Sequence, residues 1–385
     1  MLISRRAFLK FLSCSSAVAF LPQVLISCSK PSFVDQNSNI ILGGGKFVSP
    51  NNPEKINYAL SVVNLTLKDK RLVPLDFLAH GVIVDPNNYF RLIMFEKIGP
   101  GACEVDLKSM KMVRKITTSD DKYFYGHGAF TIDGKILYCT ETYLGNKKGI
   151  IAVRDAQTMQ YLGEFPTYGD NPHECQLIKR GKVLVVTNAG STIGGNTEPS
   201  VTYIDMNNQQ LIERVMLTND RLNTGHIGIA KDGSLVVASA PRDGLDKTEL
   251  GGVSIRPNGE QMETITTPNE TVRSMTGEAL SVIIHNARNI AAVTHPDGNM
   301  VTFWSVSDRR LLKVIRLERP RGVTLTLDEK TFVISYGADT SIMLVDAESL
   351  STKPDENIAL TYLSGSHIYN WSKTITEILP MGGMT

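Results

Sequence analysis

Cysteine, tryptophan and any excess of charge are scarce in this 385-residue chain. Five cysteines occur, none in Cys-x-x-Cys spacing, and Cys14 and Cys28 fall within the first 28 residues. The remaining Cys103, Cys139 and Cys175 form an odd set. That argues against a disulfide framework and suits small buried apolar side chains. Lys+Arg number 40 and Asp+Glu 39, and residues 1–27 hold Arg5, Arg6 and Lys10 and no acid, so the rest of the chain has a net charge of −2. That balance leaves no electrostatic footprint for nucleic acid or anionic lipid. No long segment has the apolar spacing of a helix, and no Gly-x-Ser-x-Gly elbow is present. Gly43-Gly44-Gly45 and Gly194-Gly195 lack the strand–helix setting of a phosphate loop.

The chain opens with a leader. Ser4-Arg5-Arg6-Ala7-Phe8-Leu9-Lys10 matches the twin-arginine export signal, which implies the twin-arginine translocase as a partner. The apolar stretch Phe11 to Leu25 is broken by serines, Pro22 and Gln23, so residues 1–27 read as a removable leader. A short N-terminal anchor helix is the alternative. Leu25-Ile26-Ser27-Cys28 has the lipobox pattern, with Cys28 as the acylated new N-terminus; ordinary cleavage near Ser27 is the other possibility. The expected location is the periplasm or cell envelope, with the protein held at a membrane through lipid on Cys28. Residues 28–39 are polar and read as a tether. Residues 40–385 read as a single domain. The twin-arginine route carries folded proteins, which is compatible with a cofactor without requiring one.

The domain is a repeat of short strands. Lys135-Ile136-Leu137-Tyr138-Cys139 and Lys182-Val183-Leu184-Val185-Val186 are typical, and turns such as Asp133-Gly134, Asp232-Gly233 and Asp297-Gly298 stand between them. Asp-Gly between β-rich runs signals a tight hairpin. Units start at His80, His127, His173, His226, near Leu280, at Arg321 and at His367, in steps of about 41 to 54 residues. Four strands in that length make one propeller blade. The fold class is therefore all-β, a seven-bladed β-propeller of YVTN/WD40-like repeats; a six- or eight-bladed ring is the runner-up. The last unit has room for little more than one strand. Ile40-Ile41-Leu42, Tyr58 to Val63 and Leu72 to Leu75 are expected to complete it, closing the ring through the N-terminal strands.

Five of the seven histidines share one phase of this repeat: His80, His127, His173, His226 and His367. Each stands where the innermost strand of a blade begins, so together they are expected to ring one mouth of the central channel. The sixth blade has Arg321 there, and Glu174 adjoins His173. Neutral imidazoles ligate Zn, Cu and Fe, and with a guanidinium they also suit a bound anion or acid–base chemistry. The competing explanation is that a polar residue at a strand entry hydrogen-bonds a neighbouring loop and has been copied by duplication. His285 and His295 are out of phase and read as structural. Glu141 ends a second strand and borders either the channel or the opposite rim.

Several stretches carry a resemblance: Gly126-His127-Gly128, Asp133 to Glu141, Asn171-Pro172-His173-Glu174, Thr187-Asn188-Ala189-Gly190, Glu198-Pro199-Ser200, Gly225-His226 and Arg319-Pro320-Arg321-Gly322. With the leader, they make the sequence similar to a family of twin-arginine-exported bacterial proteins, domain of unknown function 1513. The chain departs from the family after Gly190, where Ser191 to Asn196 replace a longer His-containing loop. The resemblance implies a seven-bladed fold of the kind shared with quinoprotein amine dehydrogenase, and a genomic setting near periplasmic iron-uptake components. Only Trp304 and Trp371 are present, which speaks against the Trp-rich motif of quinone-cofactor dehydrogenases.

Three readings follow. The first is a periplasmic metal- or small-ligand-binding propeller, accessory to iron or copper handling, with a transition metal (Fe, Cu or Zn) on the channel histidines. The second is a lactonase-like hydrolase or oxidoreductase using the same histidines. The third is a protein-interaction scaffold.

Overall fold

A computed structural model describes residues 33–49 and 52–382. Arg5, Arg6 and Cys28 lie outside the described residues. Among the described residues there are seven antiparallel sheets. The first comprises Ala79–Asp85, Asn88–Glu96, Gly101–Asp106 and Lys111–Thr117, in that order from the axis outward. The following blades begin with Lys122–Phe130, Pro172–Ile178, His226–Ile229, Val282–His285 and Val323–Leu325. The seventh is composite, in the order Ile368–Asn370, Ile40–Ser49, Asn52–Asn64 and Asp69–Leu75. The ring thus closes as expected. Ile41, Leu42 and Gly43 pair with Asn370, Tyr369 and Ile368.

Burial follows position in the blade. Second strands such as Val183–Asn188 and Leu235–Ser239 are buried throughout, because blades cover both of their faces. Outer strands such as Lys111–Thr117 and Leu211–Met216 alternate exposed and covered residues, as a strand with one wet face must. The sixth sheet has three strands; isolated bridges from Ile342 to Ile358 and from Val345 to Thr352 mark its outer edge.

Two features differ from the sequence reading. A helix, Trp371–Gly382, follows the last inner strand. Asn370 caps it, its Oδ1 accepting from the Lys373 amide at 3.2 Å. Trp371 and Ile375 are buried in a cluster shared with Ile40, Leu60 and Val84, and the indole N–H donates to the Tyr89 carbonyl at 2.6 Å. The helix therefore sits at the channel end where first strands turn into second strands. The other difference concerns the segment read as a tether. From Phe33 onward it lies on the propeller: Phe33 is buried, its carbonyl accepts from Asn64 at 2.9 Å, and Ser38 accepts from Ser372. Among the described residues, no helix is long and apolar enough to cross a membrane.

Candidate metal centre

The five in-phase histidines converge. Nitrogens of His80, His127, His226 and His367 all lie within 4.8 Å of one another. His173 joins them through a contact of 3.0 Å between its Nε2 and that of His80. A second Nε2 pair, His367 with His226, is 3.1 Å apart. Ring centroids of neighbours stand 4.0 Å apart for His226–His367 and 4.2 Å for His173–His226. None of the five is more than 7 % exposed.

Local backbone makes this closeness possible. Gly126 has φ +114°, and a Cβ there would stand 2.5 Å from His80 Cδ2. Gly81 is equally constrained, since its Cβ would meet the Gly126 carbonyl oxygen at 2.2 Å. Two adjacent blades can thus bring His80 and His127 to a centroid separation of 4.9 Å because the residue between the rings has no side chain.

Hydrogen bonds fix the tautomers on one side of the cluster. Glu174 Oε2 accepts from the Ile227 amide and from His226 Nδ1, both at 3.1 Å, and its Oε1 accepts from Gln176 at 2.8 Å. A carboxylate only accepts, so His226 carries its proton on Nδ1 and its lone pair on Nε2. The His367 Nε2–H then donates to His226, and His367 Nδ1 accepts from the Ser281 hydroxyl at 3.4 Å. His127 Nε2 is different: it is buried and has no hydrogen-bond partner among the described residues. An orphaned lone pair or N–H of this kind is costly to bury unless something meets it.

Burial keeps all five imidazoles neutral. It holds His127 and His226 down to about 3 and pushes His80, His173 and His367 well below their ordinary value. The Lys97 ammonium adds to the lowering in every case. Neutral imidazole is the ligating form. The two Nε2 pairs also have suitable lengths. Around an ion with metal–nitrogen bonds of about 2.0–2.1 Å, adjacent ligand atoms lie about 2.9–3.4 Å apart.

The cluster partitions the channel. A cavity of about 310 Å³ on the mouth side is lined by His80, Lys97, Glu96 and Ser366. Below lie cavities of about 300 and 400 Å³, the first walled by His226, His367 and Lys373, the second by His127, Trp371 and Ile378. Glu174 and Tyr369 border both lower cavities, and the C-terminal helix fills the space between them.

The other expected residues fall as follows. Arg321 lies beside the cluster; its Nε–H donates to the Gly365 carbonyl at 3.0 Å, not to an imidazole. Glu174 touches His226 rather than the cluster's centre. His285 bonds the Glu329 carbonyl at 3.0 Å and His295 the Thr302 hydroxyl at 2.9 Å, so both serve structure. Glu141 is buried within its blade, where it takes Arg154 at 2.8 Å and Thr118 at 2.5 Å. Ser281 is the fifth blade's residue at the ring, one position after Leu280. Its hydroxyl stands 3.4 Å from His367 Nδ1, and a 13-residue spacing aligns it with His127 and with the residues that follow His173 and Arg321. The amides of His127, Glu174, Ser281 and Gly322 donate to hydroxyls 13 residues later, on Thr140, Thr187, Thr294 and Ser335.

Known proteins share this architecture. Hydrazine synthase of Kuenenia stuttgartiensis superposes with a TM-score of 0.62 at 14% identity, covering 80% of this chain and 97% of that one. A dihydro-heme d1 dehydrogenase, NirN, in complex with DHE gives 0.55 at 11% identity, covering 87% and 69%. At such identities the likeness is one of fold. No curated protein sequence matches the chain. The sequence of the family described as "Protein of unknown function (DUF1513)" matches residues 73–361, three quarters of the chain, and the protein belongs to that family.

Proposed function

We propose that the protein is a metal-binding propeller of the cell envelope, and that the five-histidine cluster holds a transition metal ion, iron, copper or zinc. The observation that carries this reading is the convergence of four imidazole nitrogens within 4.8 Å, with a fifth imidazole hydrogen-bonded to one of them. The donor set is all nitrogen. It contains no thiolate and suits Fe, Cu and Zn over Mg or Ca. Glu174 supports the reading as the outer partner that orients His226, the usual companion of a ligating imidazole. Export by the twin-arginine route and anchoring through Cys28 belong to the same proposal. So does a role in iron or copper handling.

Hydrolysis by the bare histidines is a weaker reading. A general base works best with a pKa near the working pH, and imidazoles held near 3 are poor proton acceptors.

Elemental analysis of folded, untagged protein tests the metal reading, together with thermal melts on adding Fe, Cu or Zn. Bound metal and a raised melting temperature are expected. No bound metal and no shift with any of the three would sink it. For the export proposal, paired Arg5→Lys and Arg6→Lys substitutions should leave the protein in the cytoplasm, and Cys28→Ser should release it from the membrane fraction. Unchanged fractionation of either variant contradicts the corresponding part.

A further inference from the structure

The metal-free cluster holds hydrogen where an ion would sit. Two ring nitrogens about 3 Å apart need one proton between them, since two lone pairs repel at that distance and two N–H groups clash. The His80–His173 and His226–His367 pairs both have this spacing, so each contains one inward N–H. In the second pair its place is fixed. His226 Nδ1 donates to Glu174, so the inward proton belongs to His367 Nε2. His367 Nδ1 is then a lone pair, turned towards the Ser281 hydroxyl at 3.4 Å. His80, His127, His226 and His367 are the four residues whose ring nitrogens lie within 4.8 Å of one another. They cannot all ligate one ion while His367 keeps its Nε2–H, because an N–H has no lone pair to give.

We infer that metal uptake switches the tautomer of His367, and that Ser281 is the positioning residue that holds the ring in both states. The inference rests on the metal reading. The exchange is balanced: His367 loses its proton from Nε2, gains one on Nδ1, stays neutral and gives the freed lone pair to the ion. A hydroxyl serves both forms, because it donates through its hydrogen and accepts through its lone pairs. Before uptake the Ser281 hydroxyl donates to Nδ1; afterwards it accepts from Nδ1–H, the kind of outer contact that orients a ligating imidazole. Ser281 is placed for this role. Its side chain is buried, and its Oγ is held by the Val323 amide at 3.4 Å. It also lines the 300 Å³ cavity with His226 and His367, which gives its hydrogen room to turn. Glu174 acts differently. A carboxylate accepts in both states, so it keeps His226 in the ligating tautomer throughout. One arm of the cluster is thus preset by a carboxylate, and the facing arm is reset through a hydroxyl.

The test is long-range proton–nitrogen correlation spectroscopy of untagged protein carrying isotope-labelled histidine, before and after adding zinc or cuprous copper, both diamagnetic. Metal content is measured on the same samples, and His367→Gln assigns the signals. The expected result is a His367 proton on Nε2 without metal and on Nδ1 with it, while His226 keeps its proton on Nδ1. Ser281→Ala should weaken metal binding about tenfold in chelator competition, and Ser281→Thr should restore it, with circular dichroism unchanged. Metal-loaded protein whose His367 keeps its proton on Nε2 overturns the inference and leaves the metal reading intact. Metal binding that Ser281→Ala leaves unaltered overturns it too. Should Ser281→Ala not fold, the spectra of the parent protein decide. Uptake of neither ion overturns the inference and leaves iron as the one form of the metal reading that stands.

Discussion

Acid should destabilise the metal-free protein steeply, and the histidine cluster sets how much. His127 and His226 have folded-state values near 3, against about 6.5 in an unfolded chain. Between those values the unfolded chain binds protons that the native protein does not, so stability rises with pH in this window and falls as acid is added. Above pH 6.5 both states are neutral and the full stability is present. At pH 5 each of the two imidazoles has cost about 2 kcal/mol relative to pH 7, or about 4 kcal/mol together. His80, His173 and His367 act in the same direction. Domains are stable by about 5–15 kcal/mol, so this is a large share. Urea unfolding of metal-free protein at pH 7, 6 and 5 measures it. His295, away from the cluster, is also held near 3 and adds to the slope. The double variant His127→Gln, His226→Gln isolates the cluster's part: its loss between pH 7 and 5 should be smaller by about 4 kcal/mol. Equal losses in the variant and the parent would refute the claim that these imidazoles are buried and neutral.

Other consequences follow from single contacts. Glu174→Gln removes the carboxylate that orients His226, and metal affinity measured by chelator competition should fall about 10–100-fold with the fold intact. Trp371→Ala empties the helix's buried anchor and should cost about 3–5 kcal/mol in urea unfolding. Cys103, Cys139 and Cys175 are buried free thiols; burial raises all three, Cys103 to about 12. A thiol-disulfide reagent should leave them unmodified until the protein is denatured.

The blade count and the closure were legible because the repeat is marked by chemistry as well as by strands. His80, His127, His173, His226 and His367 recur at blade length, and a short last unit at His367 demands strands from the other terminus. The fifth blade was blurred because its ring residue is Ser281, which no search for imidazole or charge would select. The 13-residue spacing to Thr294 places the position only to within one residue, because it falls on His127 itself but on the residues after His173 and Arg321. The C-terminal helix was missed although Trp371, Ile375 and Ile378 have helical spacing. Twelve residues containing Pro380 give too short a pattern to stand out from strand-like neighbours. Lys97 and Glu278 could not be found by phase, because they sit on loops from different blades and meet only across the folded channel. Glu174 was picked out by adjacency to His173, yet its contact is with His226, 52 residues away.

X-ray absorption at the edge of the bound metal tests the central claim most directly. The account predicts a first shell of nitrogen or oxygen at about 2.0–2.2 Å with the multiple scattering of at least four imidazoles, reduced by one in His127→Ala. A shell containing sulfur, or one with two imidazoles or fewer, would contradict it.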